Sequence, residues 1–207
     1  MILGVGAFNA SEKVRYFTDL TATSSQSWTL DSTVDLTGDF ELHWESVDTL
    51  DPVSDGARIF GSSASSEDLV KLFDTGHIAV KINNFNRTIG TTGLDRTIFN
   101  KWSVTRTISP NVLEVFLNSV SQGTITTSTS SFTLDQLGSG AGLGFKEGIL
   151  GNVKIYDAGT LIHSWSIDEA NPAAIVDSVA GNNGTGANLS GTDAALYRNN
   201  HGKWTIV

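Results

Sequence analysis

The chain contains no cysteine, three prolines and one methionine among its 207 residues. Without cysteine, a disulfide framework and thiol chemistry are both excluded. Basic residues are scarce as well, because 13 Lys and Arg stand against 22 Asp and Glu, which gives a formal net charge of −9. Nucleic acids and anionic lipid surfaces both require clusters of Lys and Arg for binding. We therefore expect neither nucleic acid nor membrane among its partners.

Long apolar segments are also missing from the sequence. No stretch is long and apolar enough to predict a transmembrane helix. Residues 1–8 are apolar, but they lack a basic region and are too short for a signal peptide. We expect an N-terminal arm or a first strand over residues 1–15, and no signal peptide.

Glycine, serine and threonine are abundant, and apolar residues recur with a period of two. Glycine alone accounts for 21 residues. In residues 102–106 and in residues 113–117, side chains that share an inward face alternate with side chains that share an outward face. The turn Ser109-Pro110-Asn111 separates the two segments. This spacing predicts a β-hairpin with one buried face. The same alternation over Phe40–Val47 predicts another half-buried strand, and the chain length suits one large β-sandwich domain.

Three sequence motifs resemble those of a known family. They are Trp102-Ser103-Val104-Thr105-Arg106 with a following strand that ends at Leu117-Asn118, the segment GILGNVKIYD over Gly148–Asp157, and DFELHW over Asp39–Trp44. Together they resemble the concanavalin A-like jelly roll in its laminin-G-like branch, over residues 16–168. The resemblance implies an all-β fold, an antiparallel β-sandwich jelly roll over residues 16–207, with residues 168–207 as a closing tail.

One turn departs from the family pattern. Relatives usually carry Asn-Gly in the turn after the strand that ends at Leu117, where both residues need a positive φ. Asn118-Ser119 occupies this turn here. We expect either a longer turn or a turn of another type.

The carboxylate pattern argues against catalysis. Glucanase relatives with this fold use a Glu-x-Asp-x-Glu strand whose two glutamates flank the scissile bond. No Glu in this chain has an Asp two positions later. Glu41 and Glu45 share one strand face, but they are about 13 Å apart along an extended strand, which is too far for a retaining pair. We expect no catalytic residues, and a polysaccharide hydrolase or lyase ranks third among the possible functions.

Metal and cofactor sites have little support in the sequence. The four histidines are far apart and form no His-x-x-x-His motif. Proteins of the resembled fold often bind calcium through Asp and Asn side chains, and Asp177, Asn182 and Asn183 could form such a site. The alternative is that these residues serve a turn, which favours Asp and Asn for backbone reasons. No other cofactor is expected.

A glycan-binding face is the remaining candidate site. Sugar sites combine an aromatic ring, which stacks on C–H groups, with polar side chains that bind hydroxyls. We expect the outward Phe116 to be the aromatic platform, although it could instead pack in a second core face or at a subunit contact. The full candidate set comprises His43, Glu45, Asn84, Phe85, Arg87, Arg106, Glu114 and Phe116.

Two classes of function are compatible with these features. The first is a non-catalytic module that binds a cell-surface glycan or bacterial polysaccharide, and the second is a purely structural particle protein that uses the sandwich for assembly. The expected lack of a signal peptide, the cysteine-free acidic composition and the family branch favour a phage virion protein with a lectin-like domain. We expect a capsid decoration or tail component on a virion or an extracellular surface, as a homo-oligomer in contact with other virion proteins.

Overall fold

The computed structural model describes most of the chain as β-strands joined by short turns. Within the described residues, every regular element is a strand, and none forms a helix able to cross a membrane. Residues 1–13 of the expected N-terminal arm lie outside the described part. The described residues are 14–20, 24–48, 57–73, 75–141, 146, 148–168, 172–189, 194–200 and 203–206.

The strands follow one another along the chain with few long connections. Their bounds are β1 Val14–Leu20, β2 Ser27–Leu36, β3 Phe40–Asp48, β4 Ala57–Gly61, β5 Leu69–Leu72, β6 His77–Ile82, β7 Phe85–Gly90, β8 Asn100–Ile108, β9 Asn111–Leu117, β10 Val120–Thr126, β11 Phe132–Leu137, β12 Gly148–Asp157, β13 Thr160–Trp165, β14 Ala174–Ile175, β15 Gly184–Ala187, β16 Ala194–Asn200 and β17 Lys203–Ile206.

These strands form two antiparallel sheets. Sheet I has the order β10-β9-β8-β3-β12-β1-β16-β17, and β13 also pairs with β12. Sheet II has the order β14-β15-β2-β11-β4-β5-β6-β7. The architecture confirms the all-β antiparallel sandwich that the sequence predicts. The closing tail contributes to both sheets, because β14 and β15 extend sheet II while β16 and β17 extend sheet I.

The core lies between the two sheets and follows the period-two pattern. Every second residue of β3 is buried, beginning with Phe40. Trp44 on β3 stacks on Trp102 of β8 with 5.9 Å between ring centroids, and it meets Phe60 of sheet II edge-on at 5.4 Å. Burial of one such side chain stabilises the fold by about 1.5–3 kcal/mol. All four tryptophans whose side chains are described are buried: Trp28, Trp44, Trp102 and Trp165.

The turn after β9 differs from the sequence-based expectation. Leu117 pairs directly with Val120, so only Asn118 and Ser119 connect the two strands. Their φ values are 51° and 68°. Both residues are therefore left-handed, as in the Asn-Gly turn of the relatives, and the expectation of a longer or different turn is wrong. Asn118 also accepts a hydrogen bond from Lys101 N–H at 2.9 Å through its side-chain oxygen, which holds the turn against β8.

Candidate functional site

The outer face of sheet I brings Phe116 and His43 into one row. Strand β8 lies between β9 and β3, and Ser103 of β8 is in register with Phe116 on one side and His43 on the other. Two strand spacings separate the two residues, which is about 10 Å. Because only the small side chain of Ser103 stands between them, the surface is recessed there.

A second row of polar side chains runs alongside the first. Thr105 of β8 is in register with Glu114 of β9 and Glu41 of β3. Glu114 accepts a hydrogen bond of 2.6 Å from the hydroxyl of Ser121 on β10. This contact holds Glu114 toward β10, away from the recess, whereas Thr105 and Glu41 line the recess.

The two rows enclose an open cleft of about 430 Å³. Its floor carries hydroxyl groups, and an aromatic ring, an imidazole, a carboxylate and an ammonium group surround them. Such a mixture suits a ligand that has both apolar faces and many hydroxyls. The residues that line the cleft are Glu41, His43, Lys101, Trp102, Ser103, Thr105, Phe116 and Ser119.

The imidazole of His43 is held in place from two sides. Its Nε2 lies 2.7 Å from the Oε2 atom of Glu41, two residues away on the same face of β3. Its ring also contacts the ring of Tyr156 on β12, with 5.0 Å between centroids. These contacts fix the orientation of a donor and acceptor group at the cleft wall before any ligand arrives, which reduces the entropy lost on binding.

Glu45 lies on the same face of β3 as Glu41 and His43, but beyond the end of the cleft. Its carboxylate accepts a hydrogen bond of 2.5 Å from the Asn152 amide and lies 3.9 Å from the Lys101 ammonium group. Lys101 is mostly exposed, so this ion pair adds little stability. Glu45 therefore orients polar groups beside the cleft and is not among the residues that line it.

Arg106 does not lie on the open face where the sequence analysis expected it. The residue is fully buried, because it shares the inward period of Trp102 and Val104 on β8. Its Nε donates to the Gly38 carbonyl at 2.9 Å, its Nη2 to the Leu36 carbonyl at 3.0 Å and again to Gly38, and its Nη1 to the Ser130 carbonyl at 2.5 Å.

Electrostatic effects on Arg106 oppose one another. Burial lowers the pKa of its guanidinium below the usual value, although the carboxylates of Asp39, Asp68 and Asp157 act to raise it. Arginine remains protonated in proteins under such conditions. The charge also lies over the Phe40 ring, 4.5 Å from its centroid. Arg106 is thus a structural cross-link between loops and a buried ring, and its placement in the open face was wrong.

Asn84, Phe85 and Arg87 also lie away from the cleft. They belong to the β6–β7 turn and to β7, the last strand of sheet II. The Arg87 guanidinium covers the exposed Phe85 ring at 3.6 Å and donates to the Thr126 carbonyl of β10 at 3.0 Å. This bond ties the edge strand of sheet II to the edge strand of sheet I. The expectation that these residues share a face with Phe116 is wrong, because β7 belongs to the other sheet.

The side chains of Asp177, Asn182 and Asn183 occupy the turn that precedes β15. Asp177 accepts five hydrogen bonds, from His163 Nδ1 at 2.7 Å and from four backbone N–H groups at 2.9–3.2 Å. The Asn182 side-chain oxygen accepts from Ser32 N–H, and the Asn183 oxygen accepts from Asp177 N–H. The turn interpretation accounts for these contacts, and the calcium site stays a prediction.

Hydrogen bonding sets the charge state of Asp177. Burial acts to raise the pKa of its carboxyl, but the hydrogen bonds from His163, Ser164, Val179 and Asn182 outweigh it and hold the pKa below its ordinary value. The carboxylate is therefore ionised under ordinary conditions. In the described part of the chain, no three His, Asp or Glu side chains are grouped as a metal site.

Besides Trp102, which belongs mainly to the core, five of the cleft residues were not singled out in the sequence as site residues: Glu41, Lys101, Ser103, Thr105 and Ser119. A signal for two of them was present, because Ser103 and Thr105 alternate with the inward residues of β8 and must therefore face outward. Glu41 is likewise two residues from His43. The register that places β8 between β9 and β3 is a tertiary feature, and the alternation pattern alone does not contain it.

Comparison with solved structures shows what the fold resembles. A protein of Bacteroides ovatus named provisionally as a carbohydrate-binding protein is 12% identical, with a TM-score of 0.63 over 89% of this chain and 60% of that chain. The chain thus spans less than two thirds of that relative's length. The heptameric SAP-like pentraxin of Limulus polyphemus is also 12% identical, with a TM-score of 0.53 over 70% of this chain and 76% of that one.

No family model and no curated protein sequence matches the chain. Identities near 12% establish the fold alone. The fold implied by the sequence resemblance is confirmed: this chain has an antiparallel β-sandwich fold like that of these two structures.

Proposed function

We propose that the protein binds carbohydrate, without catalysis, through the cleft on the outer face of sheet I. The observation that carries the proposal is the row Phe116–Ser103–His43, in which an aromatic ring and a fixed imidazole stand on either side of a hydroxyl floor. Sugars present flat C–H faces to such rings and hydroxyls to such polar groups. The likeness to a Bacteroides ovatus protein provisionally assigned to carbohydrate binding supports the same class of ligand.

The residues divide into three roles in this proposal. Phe116 supplies the stacking surface. Glu41 accepts hydrogen bonds from sugar hydroxyls, and His43 donates hydrogen bonds to them or accepts from them. The mutual contact of 2.7 Å between Glu41 and His43 fixes their geometry. Lys101 and the hydroxyls of Ser103 and Thr105 complete the polar set. Glu41 and Glu114, the two carboxylates in register with Thr105, do not form a close pair, since they lie two strand spacings apart, which is about 10 Å.

The first test is an array of bacterial surface polysaccharides, probed with the purified protein in calcium and in chelator. We expect saturable binding to a defined set of glycans. Loss of binding in chelator would add calcium to the site, while equal binding in both buffers would remove calcium from it. An absence of binding at high protein concentration would overturn the proposal.

Substitution at Phe116 provides a direct test of the cleft. We expect Phe116→Leu to weaken binding about tenfold, because the flat ring face is lost while the apolar volume is largely kept. Phe116→Tyr should retain binding, since the ring remains. The matched control is Val120→Ala, which removes an exposed apolar side chain from the neighbouring strand outside the cleft. Equal affinity of wild type and Phe116→Leu, titrated with a glycan that the array identifies, would show that sugar binds elsewhere.

A role on a phage virion stays a prediction from composition and family resemblance. It predicts a homo-oligomer or a contact with other virion proteins, whereas a free lectin domain requires neither. Sedimentation of the purified chain over a range of concentrations tests the oligomer. A monomer at all concentrations would contradict assembly through this chain's own copies.

A further inference from the structure

A smaller side pocket adjoins the cleft on the outer face of sheet I. It has a volume of about 300 Å³, and its lining includes Asp39, Thr107 and Gly159, which do not line the cleft. Glu41 and Thr105 line both the side pocket and the cleft, so the two meet at this pair of side chains. The cleft and the side pocket therefore form one longer groove.

The groove follows the outward side chains of β8. Lys101, Ser103 and Thr105 belong to the cleft, and Thr105 and Thr107 belong to the side pocket. These four are every second residue of one strand, so their side chains share the outer face of the sheet. The distance from Lys101 to Thr107 along the strand is about 20 Å, which equals about four sugar rings of about 5 Å placed in a row.

Hydrogen-bonding groups continue from the cleft into the side pocket. Asp39 is exposed, and its Oδ1 atom accepts a hydrogen bond of 2.7 Å from the Ile108 N–H, which holds the carboxylate in place. Thr105 and Thr107 add two hydroxyls. A fixed carboxylate and hydroxyls are suitable partners for the hydroxyls of a sugar. The ring of Phe116 lies in the cleft, so it anchors one sugar there, and polar contacts bind the sugars beyond it.

Both ends of the groove lie at exposed turns. Ser119 of the β9–β10 turn stands at the cleft end, and Ala158 and Gly159 of the β12–β13 turn stand at the other end. All three residues are exposed. A Cβ atom added at Gly159 would meet nothing within 4 Å in the part of the chain that the structure describes. A groove with exposed ends accepts an internal segment of a polymer, whereas a closed pocket accepts only a chain end.

We propose that this groove binds an internal stretch of a linear polysaccharide, about four sugar units long, with the polymer lying along β8. The inference rests on the proposed carbohydrate-binding function and specifies the form of its ligand. Phe116 stacks on one sugar, while Thr105, Thr107 and Asp39 bind hydroxyls of the units that follow toward the β12–β13 turn. The polymer is thereby recognised along its length and not by its terminal unit.

A size series of one polysaccharide tests the proposal. A bacterial surface polysaccharide that binds on the array is partially hydrolysed and separated by size, from single sugar units upward, and each fraction is titrated into the full chain by calorimetry. We expect affinity to rise up to about four units and then to level off, because longer oligomers extend beyond the groove. Four units should bind about tenfold more tightly than two. Equal affinity of all fractions would overturn the proposal.

The number of protein molecules bound per polymer separates internal from terminal recognition. The intact polysaccharide, at known mass, should bind several protein molecules per chain, because each internal stretch of about four units is a site. One protein per polymer at every length would show that a chain end is recognised, which would overturn this inference and leave the proposed function standing. If no polysaccharide bound on the array, the proposed function would fail and this inference with it, so the two failures are distinguishable.

Variants at Thr107 locate the polymer in the side pocket. Thr107→Val removes one hydroxyl and keeps a β-branched side chain, so it should reduce the advantage of four units over two by about threefold, whereas Thr107→Ser should keep that advantage. The matched control is Thr88→Val, at an exposed position of β7 in sheet II, which should change the affinity for none of the fractions. An undiminished advantage in Thr107→Val would show that the polymer does not enter the side pocket, which overturns the proposal.

Discussion

Arg106 shows how one residue can satisfy several loops at once. Its guanidinium donates to the carbonyls of Leu36 at the end of β2, Gly38 in the β2–β3 turn and Ser130 in the β10–β11 connection. Only a planar group with several fixed donors can meet all of these carbonyls together. We expect Arg106→Lys to lower the free energy of unfolding by about 2–4 kcal/mol, because buried carbonyls lose their partners. Urea denaturation measures the change.

Arg87 offers a control for the residue-scale prediction. It also donates to a backbone carbonyl, that of Thr126, but at the surface of the molecule. Arg87→Lys should cost less than about 1 kcal/mol, since water can replace the lost bond. If the two substitutions proved equally mild, the buried hydrogen bonds of Arg106 would not be a major source of stability.

At the scale of elements, the β9–β10 hairpin uses a turn whose second residue is poorly suited to its conformation. Ser119 has a φ of 68°, a left-handed conformation that costs an L-residue about 1–2 kcal/mol. Glycine adopts it without that cost but loses more backbone entropy on folding. We therefore expect Ser119→Gly to raise the free energy of unfolding by about 0.5–1 kcal/mol, measured by denaturant titration.

A second serine separates the effect of the turn from a general effect of glycine. Ser66 is exposed in the connection between β4 and β5, and it is not among the residues with positive φ. Ser66→Gly should lower the free energy of unfolding slightly, because glycine adds freedom to the unfolded chain. Stabilisation by both substitutions would contradict the argument from φ.

At the scale of the whole molecule, alternation predicted the faces of strands well and their neighbours poorly. The period-two pattern indicated that Phe116 faces outward while Leu117 faces inward, and both are so placed. The same pattern placed Arg106 inward with Trp102, but the charge of Arg106 suggested an open face. The carbonyls that make its burial possible come from segments distant in the sequence, so local alternation does not reveal them. Asn84, Phe85 and Arg87 were misplaced because sheet membership depends on long-range pairing.

The two sheets are also joined at the turn around Asp177. Its carboxylate accepts hydrogen bonds from His163 and Ser164 on β13 of sheet I, and Asn182 of the same turn bonds to Ser32 on β2 of sheet II. The pKa of Asp177 is depressed in the folded protein, although burial acts to raise it, because hydrogen bonds from His163, Ser164, Val179 and Asn182 favour the ionised form.

Because the pKa of Asp177 is depressed in the folded protein, the free energy of unfolding decreases as the pH falls. A group of this kind contributes stability that is present above its unfolded pKa, about 3.9, and lost as the pH falls through the folded value. We expect Asp177→Asn to cost about 1–3 kcal/mol at about pH 7, since an amide cannot accept all of these bonds, and to flatten the loss of stability below about pH 4. Ser178→Ala, which keeps the carboxylate of Asp177, should retain the steep loss of stability in acid. If Asp177→Asn lost stability in acid as steeply as the wild type, the pH-sensitive link between the sheets would lie elsewhere.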